Sequence, residues 1–269
     1  MNRYGVVGIV EAVLLIGLFA IVLATLQIAY IPELMKSREA EHMDEVMNQF
    51  FQLKMAVDLH AVSRSNFSIT VPLTLGSREL PYFVTTRAIG SVSIIENAFK
   101  ISIQNATGYT NLSLGIIKYE AKNAYYVPQT YVFENEAIIL SQDDGTDSLL
   151  SPPTINVNRA GNLINMNLLV INITGYANRT SESGVDTTYI RTNYSSYSSI
   201  NISDVSNLTI FTSHPEPWFR FLNYTMDDVV ITKHADRVQV KPESGYQMNI
   251  YLDIVNICAQ IGRGWIGNI

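Results

Sequence analysis

The chain has 269 residues, with 18 Lys and Arg against 24 Asp and Glu, and only 16% of residues are charged while 47% are hydrophobic. The net charge of −6, with no basic run, excludes a nucleic-acid partner held through its phosphates. The single cysteine, Cys258, excludes an intramolecular disulfide framework and a multi-cysteine zinc site; its apolar neighbours Ile254, Val255 and Ile257 predict a buried small side chain.

The N-terminus carries one charge before the apolar run, Arg3, and one acid within it, Glu11. From Ala12 to Ile31, 20 residues follow without a charge. At a helical rise of about 1.5 Å per residue this is roughly 30 Å, the thickness of a bilayer's hydrocarbon core. A secretory signal would be shorter and would end in a small-residue cleavage site, and Tyr30-Ile31-Pro32-Glu33 is no such site. Two readings remain: a permanent signal anchor, or a short leader cut before the helix at Gly5. Arg3 on the near side places the N-terminus in the cytoplasm and everything after residue 32 outside.

Arg3-Tyr4-Gly5 followed by Val6-Val7-Gly8-Ile9-Val10-Glu11 resembles the class III signal peptide and first helix of archaeal type IV pilins and archaellins. The resemblance covers about a tenth of the chain, residues 3–31, and the segment Ser37–Val46 is similar to pilin-like membrane-anchored proteins. It implies a leader of residues 1–5 cut between Gly5 and Val6, and assembly with like subunits through the helix. In bacterial pilins the helix acid is the fifth mature residue; here Glu11 would be the sixth. Near the start of the helix, Glu11 either stays at the cytoplasmic interface in water or, as the resemblance to bacterial pilins implies, pairs with a neighbour's new α-amino group and sets helix register.

Residues 6–32 are expected to form the membrane or filament-core helix. Pro32, which lacks a backbone donor, should kink or end it. Residues 33–62 read as a second, amphipathic helix. Met43, Val46, Met47, Phe50, Leu53 and Val57 share one face; Glu41, Asp44, Glu45, Gln52 and Asp58 lie opposite. If the helix continues through Pro32, residues 6–62 make one rod of about 85 Å.

From about residue 66 onward the period becomes two. Ile69, Val71, Leu73 and Leu75 alternate with polar residues or proline, as do Phe99, Ile101 and Ile103, Ile164, Met166 and Leu168, and Val238 and Val240. Short apolar runs at 116–119, 124–127, 131–133, 137–140, 155–157, 208–211, 229–231 and 246–257 add further strands. Turn residues punctuate them at Asn105–Gly108, Asp143–Gly145, Ser151–Pro153 and Pro242–Gly245. The fold class is therefore α+β: a long hydrophobic helix followed by a mainly β, sandwich-like extracellular domain over residues 63–269. The polar stretch 177–200, rich in Ser, Thr and Tyr, is expected to be a long exposed loop.

Nine N-x-S/T sequons stand at Asn66, Asn105, Asn111, Asn172, Asn178, Asn193, Asn201, Asn207 and Asn223, with none before residue 66. Random placement of 22 Asn and 41 Ser or Thr would give about three. The excess predicts a glycosylated surface protein, and shared loop composition is the plainer explanation.

Chemistry-bearing motifs are few. Gly262–Gly267 matches G-x-G-x-x-G, but leaves no room for a phosphate-binding helix and reads as a terminal turn. Glu39 and His42 share a helix face at the spacing of a di-iron motif; without a second motif they read as a solvated face, with Arg38 and His42 a surface pair. Asp143–Asp147 reads as a hairpin turn rather than a calcium loop. Trp218, in His214–Phe219, either stacks on a sugar or partner or anchors its segment to the core. His60, His214 and His234 belong to no catalytic pattern, so neither an enzyme nor a cofactor is expected. Two functions follow: a pilin-like structural subunit, minor pilin or pseudopilin, of a surface filament or its membrane-held base, or a permanently anchored envelope protein whose β-domain binds a glycan or protein.

Overall fold

The computed structural model describes residues 3–76, 88–143 and 145–264, with side chains from Gly8 onward. About 27% of the chain is helix and 53% strand. Among the described residues the elements are three α-helices, one π-helical turn and 14 strands.

Helix α1 (Arg3–Thr25) runs through a π-helical turn (Leu26–Tyr30) into α2 (Ile31–Ser63). The wide turn lies directly before Pro32. The Ile31 N–H reaches back five residues to the Leu26 carbonyl, a register shift that accommodates a proline inside a continuing helix. The helix ends at Arg64, which adopts a left-handed conformation and returns its N–H to the His60 carbonyl at 3.0 Å.

Two sheets follow. The smaller has the order β1 (Ser68–Thr74), β10 (Thr187–Ile202), β14 (Gln247–Ile261), β8 (Leu163–Gly175) and β7 (Ile155–Ala160). Only β14 and β8 are parallel within it. The larger, antiparallel sheet has the order β12 (Val229–Lys233), β13 (Arg237–Pro242), β11 (Val205–Phe211), β2 (Ile89–Asn105), β3 (Gly108–Lys122), β4 (Gln129–Glu134), β5 (Ala137–Gln142) and β6 (Asp147–Ser151). Strand β9 (Ser181–Gly184) joins β2 near its start. Helix α3 (Pro215–Thr225) connects β11 to β12.

The long strands change the face they bury partway along. On β8 the buried residues are Ile164, Met166, Leu168 and Val170, then Ile171 and Ile173. On β14 they are Met248, Ile250, Leu252 and Ile254, then Val255, Ile257 and Ala259; on β3, Leu114 and Ile116, then Ile117, Tyr119 and Ala121. Strand β2 makes the same change with extra residues between Ile95 and Phe99. Because strand side chains alternate faces, each parity change moves the buried side of the strand to the opposite face. The result is two cores. One is lined by the first half of β8 and β14 and by Trp218 and Leu222 of α3. The other is filled by Met43, Val46, Phe50, Leu53, Ala56, Val57 and Ala61 of α2. Strands β4 and β5 lie between, with Val132 and Ile139 in the first core and Tyr131, Phe133 and Ile138 in the second.

The sheets touch where the parity changes. A Cβ on Gly115 would lie 1.9 Å from the Ile173 carbonyl oxygen, so only glycine allows this approach. The Gly115 N–H donates to Asn172 Oδ1 at 3.2 Å, and Asn172 Nδ2 donates to Asn256 Oδ1 at 2.9 Å.

Several expectations are corrected. Residues 177–200 are not a long loop: β10 is an interior strand, paired with β1 on one side and β14 on the other. Its Thr, Tyr and Ile residues favour strands, and that preference outweighs their polarity. The apolar run 124–127 is a loop, not a strand. Cys258 is half-buried, because the parity change on β14 turns it away from the core and towards Thr174. Burial on the helix begins at Ile31, and α2 forms part of the second core from Met43.

Candidate functional site

Every described residue from Gly8 to Tyr30 is exposed, and a buried stripe starts at Ile31 and continues through Met35, Glu39, Met43, Val46, Phe50, Leu53 and Val57. The bare part is the one described helix long and apolar enough to cross a membrane. An apolar surface of this size needs an apolar partner, either lipid or other helices. One polar group on it is satisfied within the helix: Thr25 Oγ1 donates to the Ile21 carbonyl at 2.9 Å. Glu11 lies exposed on this segment. Gly5 and Val6 are in the first turns of α1, and their side-chain surroundings lie outside the described residues.

The covered part of the helix is held by polar contacts as well as by its apolar stripe. Glu39 is 0% exposed, which overturns its reading as a solvated residue. Its Oε1 accepts the Ala124 N–H at 3.0 Å, and Oε2 accepts those of Tyr125 and Tyr126 at 2.7 and 2.6 Å. Three charge-assisted bonds compensate the buried carboxylate and explain why residues 124–126 leave the β-ladder. His42 is buried too, with Nε2 at 3.0 Å from the Thr74 carbonyl rather than paired with Arg38. Gln49 Oε1 accepts the Thr74 N–H at 2.9 Å. His60 meets the Thr192 carbonyl and hydroxyl at 3.2 and 3.1 Å. Burial holds both imidazoles below their ordinary value, against the raising effect of the carbonyl each contacts.

The β4–β5 turn is a polar site that the sequence did not flag. Glu134, Asn135 and Glu136 are all buried, and the two turn residues have φ of 45° and 65°. A single hairpin tip thus reaches three elements. Glu134 Oε1 accepts Trp218 Nε1–H at 2.6 Å and the Thr212 hydroxyl at 2.7 Å, tying down α3. Asn135 Oδ1 accepts the Ile171 N–H at 3.0 Å. Glu136 Oε2 accepts the Thr154 N–H at 2.8 Å, and Asp58 and Lys54 of α2 lie near its carboxyl. Desolvation pushes Glu134 above the usual carboxylate range. It pushes Glu136 up to about 7, with the Thr154 bond and Lys54 opposing and Asp58 adding to the rise. The only prior signal was the Glu-Asn-Glu sequence between two apolar runs, a pattern that ordinarily marks an exposed turn.

Trp218 is therefore an anchor, buried beside Phe99 at a ring separation of 5.3 Å. His214 pairs with Asp147 at 2.9 Å, and β5 pairs antiparallel with β6; Asp144, in the segment between them, lies outside the described residues. Gly262 and Gly264 have positive φ, and Trp265–Gly267 of the glycine motif lie outside the described residues. Among the described residues no group of three or more His, Cys, Asp or Glu is placed to hold a metal ion.

The sequons divide by environment. Asn66, Asn111, Asn178, Asn201 and Asn223 are exposed; Asn105, Asn172 and Asn207 are half-buried. Asn193 is 3% exposed, and its Oδ1 accepts the Ser68 hydroxyl.

The class defined by these features is a protein with a membrane-length apolar N-terminal helix whose continuation is built into a two-sheet β-domain. No protein-family model, curated protein or solved structure matches the chain.

Proposed function

We propose that this chain is a pilin-like structural subunit, of minor-pilin or pseudopilin type, of an archaeal surface filament or its membrane-held base. The observation that carries this reading is one continuous helix, bare and apolar over residues 8–30, buried along one stripe from Ile31 and part of the β-domain's second core from Met43 onward. Such a helix can transfer from bilayer to helix bundle without unfolding the domain, because both supply the same apolar contact. On this reading the β-domain is extracellular and glycosylated, and processing removes residues 1–5. An acid inside an apolar bundle costs roughly 2.5–3.5 kcal/mol on insertion scales unless it is paired, so Glu11 meets the α-amino group of Val6 on a neighbouring subunit.

N-terminal sequencing of native protein tests the reading: a start at Val6 supports it, and an intact Met1 favours the permanently anchored envelope protein. Glu11→Ala should insert and be cleaved normally but be depleted from sheared surface filaments. Wild-type incorporation would remove the pairing role.

A further inference from the structure

We infer that the β3–β4 loop, Asn123–Pro128, is a second membrane contact that seats the β-domain on the lipid headgroup layer. This rests on the reading of α1 as a bilayer-spanning helix.

The loop sits at the right end of the domain. Strand β1 ends at Thr74, which bonds to His42 and Gln49, and Tyr131 of β4 donates to the Met43 carbonyl. Glu39 lies further towards the N-terminus than any of these, and it holds residues 124–126. It lies eight positions beyond Ile31, the last of the uncharged run, which is about 12 Å of helix. Headgroups occupy roughly 5–8 Å outside each face of the hydrocarbon core, and a tyrosine side chain covers much of the remaining distance. Burial on the helix also begins at Ile31, so no bare stalk separates the apolar run from the covered helix.

The loop's composition and fixation fit this position. Tyr125 is 36% and Val127 44% exposed, and Lys122 beside them is exposed. An amphipathic ring, an aliphatic side chain and a cation form the combination favoured at a membrane–water interface. The loop is held in shape by Glu39 and by Asn123 Nδ2, which donates to the Val127 carbonyl at 3.0 Å. A fully buried carboxyl group thus fixes the backbone beneath an exposed apolar tip. In function, the seat would set the tilt of the β-domain over its span before any assembly.

The test uses the full chain with Cys258→Ser in nanodiscs of phosphatidylcholine and phosphatidylglycerol. Spin labels are placed at Tyr125→Cys or Val127→Cys, with Phe19→Cys in the span and Tyr109→Cys, an exposed site at the start of β3, as references. Collisions with a water-soluble nickel chelate should fall about threefold or more at 125 and 127 relative to 109, with oxygen collisions rising, as expected at headgroup depth. Equal nickel access at 125, 127 and 109, in proteins whose circular dichroism shows a folded domain, would overturn the seat. A water-exposed label at Phe19 would instead show that α1 does not span, and would remove both the anchor reading and the seat. Two separate labelling positions guard against one substitution disturbing the loop.

Discussion

Glu136→Gln isolates a buried carboxyl whose titration falls near neutral pH. In the folded protein the Glu136 carboxyl is pushed up to about 7 from an ordinary 4.5, mainly by desolvation and further by Asp58. The folded state therefore holds this proton more tightly than the unfolded chain. The stability it contributes is complete below pH 4.5, declines as pH rises, and is lost above about 7. The span of about 2.5 units corresponds to roughly 3 kcal/mol at 1.36 kcal/mol per unit. Gln reproduces the protonated form, since its carbonyl can accept from Thr154 and its amide can donate to Asp58. The variant should match wild type near pH 4.5 and exceed it by about 3 kcal/mol at pH 8. His42 and His60, held low by burial, act in the opposite sense: they destabilise the fold as pH falls below about 6.5. They are common to both proteins and cancel in the difference. Denaturant unfolding of the full chain in nanodiscs, followed by tryptophan fluorescence from pH 4.5 to 8, measures it. A difference that does not change with pH would refute the argument that Glu136 is protonated against Asp58.

Gly115→Ala places a methyl group against the Ile173 carbonyl, and the two backbones cannot separate without opening the sheet crossing. A loss of about 3 kcal/mol or more is expected, or failure to fold, whereas Gly17→Ala, with open space around it, should leave the unfolding midpoint unchanged. Glycopeptide mass spectrometry of native protein should find sugar among the exposed Asn66, Asn111, Asn178, Asn201 and Asn223, and none at Asn193 or Asn172. An occupied Asn193 would mean that β10 is modified before it pairs with β1.

The N-terminal helix and the change of period near residue 66 were legible from the sequence because both depend on local pattern. Twenty uncharged residues make a membrane-length helix in any context, and alternation over a few residues marks a half-buried strand. The hairpin at Asn105–Gly108 is local in the same way: Asn105 Oδ1 accepts the N–H groups of Thr107 and Gly108 at 3.0 and 3.1 Å. The fate of the polar residues was not legible. Glu39 reads as solvent-facing until a loop 85 residues away supplies its first N–H, and Glu136 reads as an exposed turn until Asp58 and Thr154 enclose it. The same holds for β10, whose polar face says nothing about the strands on either side, and for Asn172 and Asn193, whose sequons look like the other seven. A buried polar group is tolerated only where its partners are, and those partners lie far along the chain, so tertiary structure alone decided which of these side chains hold the molecule together.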